Sequence, residues 1–367
     1  MKLPFLRSSS HTTTPSFPLG VLCFAFSSLA HDDPGATCRS NATHIAWKEA
    51  DLSQTVVGAA VRRSIEDTAT ITPAQRCVYQ NIAQAKQEAY HYLRENIMPF
   101  DDPFLETLGF HDDPDDENAV DGLDQGMIGQ TIVYAIKAKQ EFAYTDALPK
   151  AIWQEYVLNY ANTNEARSNW RPLLYQKLRH LVTGNGMDIA AVVHAVNANM
   201  WKLLAPAGTD SIVFKAGQTP LIFDPMSIMT FGYASCTGCS ILLVNALRTL
   251  GVPARLAGTA AWWQDPSKGN HNWVEVYRED GKWYFLEPSP GVDDVDDLDR
   301  PPRQRWFCQP DRFGPFAHNT TLVYAARLTR GSGMVYPLAW EPGNMDVPGE
   351  DVSAYYRNAC GVEESLS

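Results

Sequence analysis

Apolar residues recur at intervals of three and four along the first half of the chain, which is the spacing of one helix face. The segment TPAQRCVYQNIAQAKQEAYHYLREN follows this pattern, with Thr72 placed to cap a helix and Pro73 at its first helical position. Further helical segments run from Gly129 to about Leu204. We therefore predict a largely helical N-terminal region over residues 31–205.

The pattern changes to short strands in the second half, most clearly in HNWVEVY at residues 271–277. Side chains alternate there with period two, the turn Glu279–Gly281 follows, and KWYFLE forms a return strand. A three-residue loop of this kind sets the register of the hairpin. In that register Trp273 lies opposite Glu287, and His271 is the diagonal neighbour of Glu287 on the same face.

A third pattern, TGCSILLVNALRTL, predicts a helix of about four turns, which Gly251 and Pro253 are suited to end. Cys236 falls at the N-cap or in the first turn of this helix, and Cys239 lies one turn further in. Free N–H groups and the helix dipole stabilise an anion at that end. Cys236 therefore occupies a position that lowers the pKa of a thiol, as a cysteine nucleophile requires.

The order of these elements predicts an α+β core over residues 206–346 after the helical region, with a C-terminal tail over 347–367.

Residues 1–30 have the pattern of a targeting segment, because two basic residues precede the apolar run LGVLCFAF and a cleavage signal ending at Ala30. This pattern predicts a signal peptide and a secreted or secretory-lumen protein. The Ser/Thr-rich composition leaves an organelle transit peptide as the alternative.

The composition is that of a globular protein, with 45% hydrophobic residues in a chain of 367. The formal net charge is −12, which makes nucleic acids and anionic membranes unfavourable partners. No apolar run reaches about 18 residues, so no membrane-spanning helix is predicted.

Six of the seven cysteines remain once Cys23 leaves with the signal peptide. In an oxidising compartment the solitary cysteines are natural disulfide halves, for instance as Cys38–Cys77 and Cys308–Cys360. The sequence leaves this connectivity open.

Neither a metal nor an organic cofactor is predicted. A zinc site needs a second pair of ligands at suitable spacing, and the isolated Cys308 and Cys360 do not supply one. The acidic run Asp293–Asp299 fits a solvated loop better than a calcium site, because its carboxylates lack the spacing of calcium ligands.

The C-x-x-C pair leaves two other interpretations, a nucleophile with a neighbour or a redox dithiol. A nucleophile needs a base, which His271 would provide, and the carboxylate of Glu287 would hold the imidazole and stabilise its protonated form. A dithiol oxidoreductase would instead require a reversible bond between Cys236 and Cys239. We predict a Cys236–His271–Glu287 triad.

Further residues are candidates for the cleft around this triad. Gln218 would donate a hydrogen bond to an oxyanion together with the N–H of Cys236, and a surface glutamine is the alternative. Trp262 and Trp263 would wall an apolar cleft, with buried structural tryptophans as the alternative. Glu275 shares a strand face with His271 and is also placed to line the site.

Three motifs in this order, CTGCSILLVNALRTLGVPAR, HNWVEVY and KWYFLEPS, resemble the transglutaminase-like superfamily over about 80 residues. The resemblance implies a papain-like α+β core in which the nucleophile helix packs on an antiparallel sheet. In that family the nucleophile stands 19 residues before the Arg of Pro-Ala-Arg, which is Arg255 here and indicates Cys236. The family usually has Asp where this chain has Glu287, a departure that bears on the competence of the triad.

The resemblance implies thiol-dependent acyl transfer or hydrolysis at amide bonds of peptides or proteins, through a thioester. The partner would be a peptide or protein amide substrate, with an amine as a further acceptor. Two alternatives stay open: a catalytically inactive scaffold or interaction protein of the same fold, and a C-x-x-C dithiol oxidoreductase.

Overall fold

The computed structural model describes residues 73–110, 126–183, 186–308 and 320–361. The predicted signal peptide lies outside the described residues, and so does Cys38 of the predicted Cys38–Cys77 pair.

Helices make up most of the regular structure before residue 205, as the three- and four-residue periodicity predicted. The first is described over Pro73–Glu95, and Thr72, the predicted cap, lies outside the described residues. The described α-helices are α1 (Pro73–Glu95), α2 (Leu105–Leu108), α3 (Met127–Glu141), α4 (Lys150–Tyr156), α5 (Trp170–Leu178), α6 (Ile189–Leu203), α7 (Pro225–Phe231), α8 (Cys236–Thr249) and α9 (Ser353–Cys360). Short 3-10 helices cover Pro99–Phe104, Ala143–Thr145, Arg179–Leu181, Trp262–Gln264, Pro266–Lys268, Pro302–Gln304 and Trp306–Cys308.

Strands follow in the second half of the chain. They are β1 (Val213–Phe214), β2 (Tyr233–Ala234), β3 (Ala254–Thr259), β4 (His271–Tyr277), β5 (Trp283–Leu286), β6 (Tyr324–Ala326) and β7 (Gly349–Asp351). The last five form an antiparallel sheet in the order β5–β4–β3–β6–β7, and β1 pairs with β2 in a separate parallel ribbon. The α+β fold predicted from the sequence is confirmed.

The β4–β5 hairpin has the predicted register. Tyr277 pairs with Trp283 and Val274 pairs with Leu286, so the same register extended by one residue sets Trp273 opposite Glu287. The side-chain period of a strand is two, and His271 therefore shares the face of Trp273. A slip of one residue would have placed His271 and Glu287 on opposite faces.

Helix α8 is enclosed between the sheet and the helical region. It packs on β3 and β4, while α3, α5 and α6 contact it from the helical side. Every residue after Cys236 in this helix is buried. The helix ends at Thr249, and Gly251 terminates it as predicted: the N–H groups of Gly251 and Val252 donate to the carbonyl oxygens of Arg248 and Leu247. A helix enclosed in this way is held in a fixed position relative to β4.

A buried arginine ties α8 to both halves of the molecule. Arg248, in its last turn, donates from Nε to the carbonyl oxygen of Ala254 on β3, at 2.9 Å. Its Nη1 donates to the carbonyl oxygen of Ala161 in the helical region, also at 2.9 Å. Both bonds satisfy a cation that burial would otherwise destabilise.

Residues 347–361, assigned to a tail from the sequence, add to this core. Strand β7 pairs with β6 at the edge of the sheet, and Glu350 within it forms an ion pair with the buried Arg255, at 2.8 Å. Helix α9 follows, and its Cys360 forms a disulfide with Cys308. No helix in the described ranges combines the length and apolar character needed to cross a bilayer.

Replacing Gly258 with alanine is expected to destabilise the sheet beneath the site. Gly258 lies opposite Asn272, and a Cβ there would overlap the Asn272 amide and the carbonyl oxygen of His271. We expect Gly258→Ala to lower the free energy of unfolding by about 1–3 kcal/mol, as overpacking does. Urea unfolding followed by circular dichroism measures this.

The matched control is Gly343→Ala, because no atom lies within 4 Å of a Cβ at that position and its backbone conformation suits any residue. Equal unfolding free energies for the two variants would show that β4 can move away from β3 without loss of stability.

Candidate active site

Cys236 is the first residue of α8, and its side chain is partly exposed while the rest of the helix is buried. The N-cap residue, Ser235, makes no side-chain cap, since its hydroxyl forms a hydrogen bond with Thr219 Oγ1 at 2.6 Å. The N–H groups of the first turn are therefore left to interact with an anion. The helix start thus presents both a thiol and the donors that would stabilise a developing negative charge.

A glycine lets the preceding loop pack against this first turn. A Cβ on Gly238 would lie 2.8 Å from Ala234 Cβ and 3.1 Å from Phe223 Cα, too close for a side chain. The segment 218–223 therefore lies directly beside the turn that carries Cys236.

His271 and Glu287 meet as the hairpin register predicted. His271 Nε2 lies 2.9 Å from a carboxylate oxygen of Glu287, and both side chains are partly buried. Since Nε2 is engaged by Glu287, Nδ1 is the imidazole nitrogen left for the thiol of Cys236, with which His271 forms a hydrogen bond. The structure thus brings the three predicted residues together in the order thiol, imidazole, carboxylate.

The charges of this group reinforce one another. Burial opposes protonation of His271, but the carboxylate of Glu287 and the sulfur of Cys236 outweigh it and raise the pKa of His271 to about 10. Burial also opposes ionisation of Cys236, yet the hydrogen bond and charge of His271 and the N–H of Asn272 hold the pKa of that thiol below its ordinary value. Each charge therefore stabilises the other, and the site favours a thiolate beside an imidazolium.

Cys239 has the opposite character, although it lies only one turn away. It is buried, its Sγ lies 3.6 Å from the carbonyl oxygen of Ala234, and burial raises the pKa of its thiol. Both Cys236 and Cys239 are free thiols. The chemical difference between them follows from their positions on the helix.

Aromatic rings enclose the imidazole. The ring of Trp306 contacts His271 edge-on at 5.4 Å between centroids, and Trp273 packs against it at 5.8 Å. Trp262 packs in turn on Trp306, at 5.5 Å between ring centroids. These indoles limit water around His271 and so strengthen its bond to Glu287. Sequence reasoning missed Trp306, which begins a short 3-10 helix beyond the sequence motifs and belongs to no local pattern.

The other cleft candidates form hydrogen bonds with residues outside the predicted triad. The side-chain amide of Gln218 donates to the carbonyl oxygen of Ala216 at 3.1 Å. The backbone N–H of Trp263 donates to Thr321 Oγ1 at 3.0 Å. Their roles around an oxyanion and in the cleft wall stay predictions.

The contacts of Glu275 account for its buried position without any role in the candidate site. Its carboxylate forms an ion pair with Arg255 at 2.7 Å and accepts a hydrogen bond from the hydroxyl of Tyr356 at 2.6 Å. Since all three side chains are buried, the carboxylate is committed to the interior.

The main chain of Glu287 is held from both sides. Its N–H donates to Asp296 Oδ2 at 2.8 Å, and its carbonyl oxygen accepts from Asn197 Nδ2 at 3.0 Å. Asn197 belongs to α6 of the helical region, and Asp296 is fixed in turn by a buried ion pair with Arg305. The position of the carboxylate therefore depends on residues outside the sequence motifs.

Asp296 corrects one expectation from the sequence. The run Asp293–Asp299 was expected to be a solvated loop, which holds for Asp294 and Asp299, whose side chains are 85% and 75% exposed. It is wrong for Asp296, whose side chain is 5% exposed. Burial is tolerated there because Arg305 and the N–H of Glu287 compensate the charge. Among the described residues, no group of three or more His, Cys, Asp or Glu is arranged to hold a metal ion.

Residues 183–288 match the family model of the transglutaminase-like superfamily, so the predicted resemblance is confirmed over that segment. The crystal structure of a candidate cysteine protease from Cytophaga hutchinsonii is similar over 58% of this chain and 61% of its own, at 14% identity and a TM-score of 0.29. The alignment spans less than two thirds of that protein's length. A search of curated proteins finds no match. The superfamily match supports a papain-like cysteine enzyme in general terms.

Iodoacetamide should alkylate Cys236 selectively near pH 6. An ordinary thiol, with a pKa of about 8.5, is almost fully protonated at that pH, whereas the pKa of Cys236 is lowered. His271→Ala removes the imidazolium that stabilises the thiolate, so the labelling rate should fall by at least about tenfold. Peptide mass mapping of the non-reduced protein at limiting reagent measures the rate.

The control variant is His180→Ala, which removes an exposed histidine and should label like the wild type. In the wild type the rate should stay nearly constant from the lowered pKa of Cys236 up to about pH 10, where His271 loses its proton. A rate at Cys236 equal to that of a free thiol would contradict the ion pair.

Replacing Glu287 with the shorter aspartate should weaken its contact with His271, although Asp is the usual residue of the superfamily at this position. The main chain of Glu287 is held at both its N–H and its carbonyl, so Glu287→Asp cannot move toward His271 to restore the 2.9 Å contact. The pKa of His271 should fall, and labelling of Cys236 at pH 6 should drop by about tenfold.

Glu341→Asp, which shortens an exposed carboxylate bonded to Asn164, provides the comparison and should label normally. Wild-type labelling in Glu287→Asp would show that the backbone of residue 287 is free to shift.

Proposed function

We propose that this transglutaminase-like chain attacks amide bonds of peptides or proteins through Cys236, and passes the acyl group from a thioester to an amine or to water. One observation carries the proposal: the imidazole of His271 lies between the thiol of Cys236 and the carboxylate of Glu287. This arrangement provides a nucleophile, a proton carrier and a group that orients the carrier.

In the first step, the thiolate of Cys236 attacks the carbonyl carbon of the amide. A carbon–sulfur bond forms while the carbon–nitrogen bond breaks, and the proton on Nδ1 of His271 passes to the leaving amine. The N–H groups at the start of α8 are placed to stabilise the oxyanion that forms in between. The products are a thioester on Cys236, a free amine and a neutral imidazole.

In the second step, a primary amine or a water molecule attacks the thioester. His271 accepts the proton of the attacking group, the carbon–sulfur bond breaks, and the thiolate–imidazolium pair is restored. Glu287 stabilises the imidazolium in the resting state and after each turnover. The nature of the acceptor distinguishes acyl transfer from hydrolysis.

The two alternative functions receive less support. A dithiol oxidoreductase needs a second thiol that can reach Cys236 and ionise, whereas Cys239 is buried and its pKa is raised. An inactive scaffold has no need of a lowered thiol pKa at Cys236.

A secretory location is supported by the Cys308–Cys360 disulfide, because such bonds persist in oxidising compartments.

Two serine variants test the proposal directly. Cys236→Ser should reduce turnover of a casein substrate by at least about a thousandfold, since the nucleophile is lost. Cys239→Ser should retain most of the activity, because a hydroxyl can replace the weak contact of that sulfur with Ala234. Mass spectrometry of casein, incubated with and without a primary alkylamine, reports amine incorporation as transfer, and cleavage or deamidation as hydrolysis.

Comparable losses in both variants would favour the dithiol interpretation. A wild-type protein that modifies casein no faster than Cys236→Ser does, together with slow alkylation of Cys236, would indicate a scaffold.

A further inference from the structure

Asn272 links the strand that carries the imidazole to the helix that carries the thiol. Pairing between β4 and β5 runs from Tyr277 only as far as Val274, so it stops two residues short of Asn272. The N–H of Asn272 donates instead to the sulfur of Cys236, and its carbonyl oxygen accepts from Ser240 Oγ at 3.2 Å. Both partners belong to the N-terminal part of α8. The main chain of Asn272 therefore contacts the helix directly beside the nucleophile.

The side-chain amide of Asn272 is held at both ends. Its Oδ1 accepts from Thr237 Oγ1 at 2.7 Å, and its Nδ2 donates to the hydroxyl oxygen of Tyr336. Thr237 directly follows Cys236 on α8, and the side chains of this hydrogen-bonded group are all buried. A buried amide bonded at both ends is held in place, because moving it would leave polar groups without partners. The side chain therefore fixes the main chain of residue 272 against the first turn of α8.

The surroundings leave room for this amide and anchor one of its partners. Asn272 lies opposite Gly258 on β3, where a Cβ would come within 2.2 Å of the amide nitrogen. Tyr336 is anchored independently, since its N–H donates to the carbonyl oxygen of Val347 at 2.8 Å, and a Cβ on Gly349 would lie 2.6 Å from its backbone nitrogen. Tyr336 also lies outside the segment that matches the superfamily model. A distant part of the chain therefore contributes to the position of residue 272.

We propose that Asn272 is a positioning residue for the nucleophile: its side chain, bonded to Thr237 and Tyr336, keeps the N–H of residue 272 against the sulfur of Cys236. This inference rests on the proposed function and adds a residue to the groups that support its thiol. Strand alternation places the side chain of Asn272 on the face of β4 opposite that of His271. Two neighbouring residues of one strand thus act on one sulfur, the first through its side chain and the second through its main chain.

The contact matters most while the sulfur is negatively charged. An N–H donor stabilises a thiolate more than a thiol, and a hydrogen bond to a charged group is stronger than one between neutral groups. The sulfur carries this charge before it attacks the amide and regains it when the thioester is released. The N–H of residue 272 therefore supports both the start and the end of the reaction cycle.

The pH dependence of iodoacetamide labelling at Cys236 tests this role. Asn272→Ala removes the bonds to Thr237 and Tyr336 but retains the N–H of residue 272, which is then free to move away from the sulfur. We expect the pH of half-maximal labelling to rise by about one unit, which equals an about tenfold lower rate on the acid side. Above this midpoint the rate should agree with that of the wild type within about threefold, because the thiolate is then formed in both proteins.

Thr237→Val is the second variant, because it removes one of the two bonds while keeping the size of the side chain. It should raise the midpoint by about half a unit, since the bond to Tyr336 remains. Thr237→Ser restores the hydroxyl and should restore the wild-type midpoint.

The matched control is Thr249→Val, at the far end of the same helix. The buried hydroxyl of Thr249 donates to the carbonyl oxygen of Asn245 at 2.7 Å, so the control also removes one buried hydrogen bond from α8. It should leave the midpoint unchanged, because this bond is remote from Cys236.

The midpoint reports the contact with residue 272 because none of these variants alters a titratable side chain. In the described ranges, the groups that interact electrostatically with the thiol of Cys236 include one from α8 and three from other segments: Cys239, His271, Glu287 and Tyr336. Each of them is retained in every variant.

An unchanged midpoint in Asn272→Ala and Thr237→Val, or an equal rise in Thr249→Val, would overturn the positioning role. A rate that falls by the same factor at every pH would also overturn it, because that result reports a loss of folded protein and not a weaker thiolate. In either case, slow labelling of His271→Ala would still support the proposed function. A wild-type midpoint at the value of a free thiol, about pH 8.5, would overturn the proposed function, and the positioning role with it.

Discussion

The hydrogen bond between His271 Nε2 and the carboxylate of Glu287, at 2.9 Å, is the contact on which the rest of the site depends. It commits one imidazole nitrogen to the acid and leaves the other to Cys236. It also stabilises the imidazolium, which in turn stabilises the thiolate. The bond exists because the β4–β5 register sets both side chains on one face, and a shift of one residue in either strand would abolish it.

The helical region and the sheet act as one unit around this contact. Asn197 on α6 holds the carbonyl of Glu287, and Asp296 holds its N–H through a charge that Arg305 compensates. The neighbouring Trp306 packs against His271, so one short segment supports both partners of the bond. A carboxylate held in this way needs no rearrangement when the charge on the imidazole changes, which is the condition for effective electrostatic stabilisation.

Position alone separates the two cysteines of the C-x-x-C pair. Cys236 begins α8, where the helix end, His271 and the N–H of Asn272 all favour a thiolate. Cys239 is enclosed by apolar neighbours one turn later, where burial raises the pKa of its thiol.

The sequence by itself determined the parts of this protein that are set by local patterns. Period-two alternation and a three-residue turn fix the hairpin and its register, and a helix with a glycine at its end places Cys236 at the start of α8. Only the tertiary structure decided which distant residues support the site. Trp306, Asn197 and Asp296 come from a short 3-10 helix, an α-helix and an acidic run, and no pattern links them to His271 or Glu287. Such contacts depend on how loops close in three dimensions, and one sequence carries no local signal of that closure.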